Sequence, residues 1–155
     1  MNPRRMTRLK SDYEEIKKTF GKDDFVDIVA VGPAPAEKYR IVYKVPTFHL
    51  DQDGSPVPVS TTVVDIELPM EYPKIAPVAK TVSDVVFHPN FNATKICLMD
   101  YWHPAAQMVD LIREIGDMLQ WKKFNVRAPL NAFAVDWGQN NQTKFPLSNI
   151  ELGVR

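Results

Sequence analysis

At 155 residues the chain is one ordinary domain, and with 45% hydrophobic and 25% charged residues it has the composition of a soluble globular protein, not a disordered one. Lys plus Arg and Asp plus Glu each number 19, so the formal charge is zero, which excludes a general nucleic-acid or polyanion binder. No apolar run reaches the length of a membrane span, and the basic start Met1-Asn2-Pro3-Arg4-Arg5 has no apolar stretch behind it, unlike a secretory signal.

The first predicted element is a helix. Met6, Leu9, Tyr13, Ile16 and Phe20 recur at spacings of three and four, which puts them on one face. Pro3 suits the start of that helix and Gly21 its end. Arg4, Arg5, Arg8, Lys10, Glu14, Lys17 and Lys18 fall mostly on other faces.

Three strands are predicted next, over 25–31, 39–45 and 61–68. The second alternates with Tyr39, Ile41, Tyr43 and Val45 on one side. The third does so with Thr62, Val64, Ile66 and Leu68. Stretches 32–36 and 51–58 hold Gly, Pro, Asp and Ser and read as linkers, so the strands form an antiparallel meander. A fourth strand falls near 78–82. A second helix follows Pro104, with Met108, Leu111, Ile112, Ile115, Met118 and Leu119 inward. A short third helix covers 129–137, with Leu130, Phe133, Ala134 and Trp137 inward. Residues 138–155 read as a partly mobile extension of a single domain spanning 1–155. The fold class is α+β.

Cys97 is the one cysteine, so it has no partner for an internal disulfide, and a reducing, cytoplasmic setting fits it. By itself a lone cysteine is most often a small buried hydrophobe. Its surroundings change that reading. Tyr72-Pro73 is followed by Pro77, then by His88-Pro89-Asn90. Ile96-Cys97-Leu98 places the thiol seven residues after Asn90. Trp102-x-Pro104-Ala105 follows, and then Asn125 with Pro129-Leu130. Five short motifs in this order, behind a helix and a meander, resemble the ubiquitin-conjugating enzymes over roughly residues 4–137.

The resemblance implies the ubiquitin-conjugating fold: an N-terminal helix, an antiparallel meander of about four strands, a central helix after the active-site loop, and here a shortened C-terminal helical part. It implies an acyl transferase. Cys97 accepts the C-terminus of a ubiquitin-like protein from an adenylating activating enzyme as a thioester, and passes it to an amine on a target protein. A thiolate is both a good nucleophile and a fair leaving group, so this chemistry needs no cofactor and no metal. Asn90 inherits a catalytic position that carries two tasks in the family, donation to the oxyanion or support of the adjacent loop. His88 reads as structural. His103 occupies a predicted N-cap position that histidine fills poorly. It is either a tolerated surface residue or a titratable group serving an incoming amine. Asn125 is a possible auxiliary. By resemblance, the basic face of the first helix docks the activating enzyme, with Arg5 and Arg8 as contacts; the plain alternative is a solvated face.

Departures from the family cluster around the thiol. The stretch from Asn90 to Cys97 is one residue shorter than usual, and that from Cys97 to Trp102 about three shorter. The acid that most members carry before the final Pro is replaced by Ala128, so Asp100 is a candidate substitute. These departures resemble the divergent bacterial branch encoded beside an activating enzyme, a ubiquitin-like protein and a peptidase, in operons linked to antiviral defence. Two other readings compete. One is a non-catalytic module that binds ubiquitin-like proteins on the same fold. The other is a hydrolase pairing Cys97 with His103 or His88, for which no third orienting residue is evident. No nucleic-acid or membrane partner is implied.

Overall fold

The computed structural model describes residues 2–98 and 102–154. Its elements, in chain order, are α1 (Pro3–Phe20), β1 (Val26–Ala30), β2 (Lys38–Tyr43), β3 (Thr47–Leu50), β4 (Pro56–Val59), β5 (Thr62–Glu67), β6 (Val78–Thr81), α2 (Met108–Leu119) and α3 (Ala132–Asn140). Strands β1, β2, β5 and β6 form one antiparallel sheet in that order, which gives the expected α+β architecture. The register sets Tyr39 against Ile66, Ile41 against Val64 and Tyr43 against Thr62. The two alternating stripes read from the sequence therefore lie on one face, and that face is buried with α1 and α2. Burial of such a stripe stabilises the fold by about 25 cal/mol per Å² of apolar surface removed from water and is the main force holding helix to sheet.

The hairpin of β3 and β4 was not expected: β3 lies just before the stretch 51–58 read as a linker, and β4 begins inside it. Pro56 and Pro58 hide it, because proline argues against a central strand. β4 is an edge, where a missing N–H costs little. β3 finds partners on its other side, with Leu50 N donating to Val85 O and Phe87 N to Phe48 O. Asp51 closes the turn, its Oδ1 accepting from the N–H groups of Asp53 and Ser55.

α1 is also rotated from its predicted phase. The inward stripe is Arg5, Leu9, Asp12, Ile16 and Phe20, while Tyr13 is exposed. Apolar periodicity passes over Arg5 and Asp12 because each enters the interior with polar partners waiting there: two guanidinium nitrogens of Arg5 and both carboxylate oxygens of Asp12 are hydrogen-bonded. Arg5 donates from Nε to Met70 O and from Nη2 to Pro69 O, both at 2.8 Å. Asp12 accepts from Arg8 Nε at 2.8 Å and from the Tyr72 hydroxyl.

α2 buries all six predicted positions, and Gly116 as well. It ends with Trp121 at φ 59°, a left-handed conformation where glycine is usual. Trp121 N donates to Met118 O and Lys122 N to Asp117 O, the paired bonds of a Schellman ending. The strain is offset by the indole, which is 2% exposed, stacks on Phe87 and donates to Phe87 O at 3.1 Å.

The tail beyond 138, expected to be partly mobile, is tied down over 148–153. Leu152 is buried against Gly116 of α2. Arg113 Nε donates to Leu152 O, Gln120 Nε2 to Ile150 O, and Gly153 N to the Asp23 carboxylate. Ile150, Leu152 and Val154 alternate over too few residues, behind a polar stretch, to mark a regular element, which is why the sequence read as loose.

Candidate active site

The loop that carries Cys97 hangs between β6 and α2. Phe91 and Ile96 pair as an antiparallel bridge, and Ile96 N donates to Ala79 O of β6 at 2.9 Å. Between them Asn92 Oδ1 accepts from the N–H groups of Thr94 and Lys95, a tight Asx turn. This turn accommodates the short spacing from Asn90 to Cys97. The next bond fixes the nucleophile's backbone: Cys97 N donates to Asn90 O at 2.8 Å.

His88, Pro89 and Asn90 form the floor behind that loop. The Asn90 side chain is 1% exposed and grips residue 125 with both ends. Its Oδ1 accepts from Asn125 N at 2.8 Å and its Nδ2 donates to Asn125 O at 2.9 Å. The Asn125 N–H can only donate, so the orientation of the Asn90 amide is fixed by its partner. Pro89 O accepts from Leu130 N at 2.8 Å and Asn131 N at 3.1 Å, tying the Pro129-Leu130 segment to the same floor.

His88 is fully buried. Its Nδ1 accepts from Asn90 N at 3.0 Å, so the proton sits on Nε2, which donates to Lys123 O at 2.9 Å. Burial disfavours the imidazolium and pulls the pKa down to about 4, against a small upward pull from the Lys123 carbonyl. A neutral histidine with both nitrogens engaged is a spacer between loops, as its sequence reading held.

Cys97 itself is half-buried and lines a cleft of about 840 Å³ between β6, its own loop and the start of α2. The walls are mainly apolar, from Pro77, Val78, Leu98 and Trp102. Lys95, His103, Asp110, Glu114 and Lys123 supply polar groups, and Glu114 and Lys123 are paired at 2.6 Å. Trp102 is locked by its indole N–H on Pro73 O and by its ring against Tyr72, centroids 5.6 Å apart.

The site residues expected from sequence distribute unevenly. Cys97 and His103 share the cleft, with His103 exposed. Asn90 and Asn125 meet each other beneath it. Helix α2 starts at Met108 with Gln107 as its N-cap, so His103 lies in the preceding turn and is not a cap. Asp100 lies outside the described residues.

Arg5 and Arg8, expected as docking contacts on a basic face, both have guanidinium groups engaged within the chain. Arg8 lies over the Tyr72 ring, 5.1 Å from its centroid, and donates to the carbonyls of Pro104 and Ala106. With Asp12 on Tyr72, α1 thus holds both segments that flank the cleft. Asp12 went unread in the sequence, although Arg8 and Asp12 stand at helical i,i+4 spacing and could have signalled the pair.

The sequence model of the ubiquitin-conjugating enzyme family matches residues 51–149. The chain belongs to that family. No curated protein matches it. Within this member of the ubiquitin-conjugating enzyme family the match covers β4, β5, β6, the His88 floor, the Cys97 loop, α2 and α3. Membership brings the general setting of these transferases, which act with an activating enzyme, a ubiquitin-like protein and a target. Among the described residues no helix is long and apolar enough to cross a membrane.

Proposed function

We propose that this conjugating enzyme carries a ubiquitin-like protein on Cys97 and transfers it to an amine, a lysine of a target protein. The observation that carries the reading is the position of the thiol. It is half-buried at a cleft wall, and its backbone is anchored to Asn90, whose side chain is spent on residue 125. The Cys97 thiolate attacks the thioester carbonyl on the activating enzyme, whose own thiolate leaves. In the second step the acceptor nitrogen attacks the Cys97 thioester, the carbon–sulfur bond breaks, and the amine proton goes to a nearby base or to water.

Asn90 serves this chemistry first as a clamp. Removing its grip frees Asn125 and the floor beneath the thiol. His103 is an auxiliary group at the cleft, and Asp100 stands in for the acid absent at Ala128. The departures in loop length support placement in the divergent branch that works in antiviral defence operons, and the neighbouring genes test that placement.

The deciding experiment combines the chain with its activating enzyme, ubiquitin-like protein and ATP on a non-reducing gel. A thiol-sensitive adduct forms with the wild type and is absent with Cys97→Ala. An active pathway that yields no adduct on the wild type overturns the proposal.

A further inference from the structure

Every β-sheet edge offers unpaired N–H and C=O groups to any passing strand, and proteins usually blunt such edges. This chain does so at two places. The outer strand of the hairpin, β4, carries Pro56 and Pro58. The outer edge of β6 is met by the Cys97 loop, where Ile96 N donates to Ala79 O. Among the described residues β1 has neither protection. Its sequence, Val26-Asp27-Ile28-Val29-Ala30, contains no proline and no lysine, and it pairs with β2 alone.

The register identifies which groups are open. Val31 N donates to Lys38 O, and Phe25 O accepts from Lys44 N. In an antiparallel ladder these bonds alternate, so Phe25, Asp27, Val29 and Val31 turn their backbone groups toward β2. Val26, Ile28 and Ala30 turn theirs outward. A groove of about 450 Å³ between α1 and β1 runs along that edge. The outer face adds apolar surface, with Phe25 40%, Val29 58% and Val31 42% exposed.

We infer that β1 pairs antiparallel with β1 of a second copy, with a two-fold axis at Ile28. The strand is complementary to itself in that register. Ile28 exchanges both bonds with Ile28 of the other copy, and Val26 exchanges both with Ala30. On the outer face Phe25 meets Val31, an aromatic against a β-branched residue, which is a favourable cross-strand pair. No like charges oppose each other: Asp27 meets Val29, and its carboxylate is already neutralised by Lys44 at 2.8 Å. The two sheets join into one of eight strands, leaving the Cys97 cleft beyond β6, at the far edge of each.

The experiment is sedimentation velocity on the full chain over rising concentration, with amide exchange read by NMR. Two variants report on the edge. Ala30→Pro removes one outward N–H and leaves the β2 ladder intact, and Val29→Lys places a charge on the outer face. The wild type forms a dimer in which the amides of Val26, Ile28 and Ala30 slow with concentration. Both variants, checked for unchanged circular dichroism, raise the dissociation constant at least about tenfold. Should Ala30→Pro fail to fold, Val29→Lys carries the test. A wild type that stays monomeric up to about 1 mM overturns the inference. So does a dimer that both folded variants leave intact, or protection of those amides only after another protein is added.

Discussion

Replacing Asn90 by Ala deletes both bonds to the backbone of residue 125, the 2.8 Å acceptor and the 2.9 Å donor. Each backbone group left without a partner in a buried place costs about 1–3 kcal/mol. Asn125 is itself only partly buried, so water recovers part of this, and the loss comes to about 2–4 kcal/mol for the pair. For a chain of this size that lowers the melting temperature by roughly 5–15 °C. Asn90→Asp fares no better. It keeps an acceptor for Asn125 N but sets a carboxylate against Asn125 O at a side chain that is 1% exposed. The assay is a thermal melt beside a single-turnover thioester transfer, run well below both melting temperatures. The clamp role requires the melt to drop in both variants. If Asn90→Ala melts within about a degree of wild type while transfer falls about a hundredfold or more, Asn90 acts as an oxyanion donor and the clamp argument is refuted.

His88 supplies a pH test. Its folded pKa, about 4, lies below the ordinary 6.5, so its contribution to stability is complete above 6.5 and is lost as pH falls from 6.5 toward 4. Between pH 7 and 4.5 that loss is about 2 kcal/mol. Denaturant midpoints should show the wild-type slope flattened by about that amount in His88→Gln, and an equal slope in both would contradict the assignment. Trp121→Ala relieves the left-handed backbone only slightly yet empties an aromatic cluster, and should destabilise by about 3–5 kcal/mol in chemical unfolding. Leu152→Ala should cost about 2–3 kcal/mol, and a change below about 0.5 kcal/mol would show that the tail is not part of the core. Asp100→Ala should slow discharge to free lysine while leaving loading of Cys97 nearly intact; equal loss in both steps would assign Asp100 to the loop.

The sequence by itself determined the α+β order of elements, the buried stripes of β2, β5 and α2, and the ordered motifs from Tyr72 to Leu130 that mark the site. Those features are local or periodic, and each residue reports its own environment. Tertiary structure decided the rest. Arg5 and Asp12 look like solvent-facing residues of a helix until the carbonyls of 68–70 and the Tyr72 hydroxyl arrive from elsewhere in the chain to bond them. Asn90 carries two possible tasks in the sequence, and its grip on Asn125, 35 residues away, is visible only once the floor is folded. The open edge of β1 is likewise unreadable from five residues. A strand's outward N–H and C=O groups are defined by the neighbour on its other side, and by the absence of one beyond.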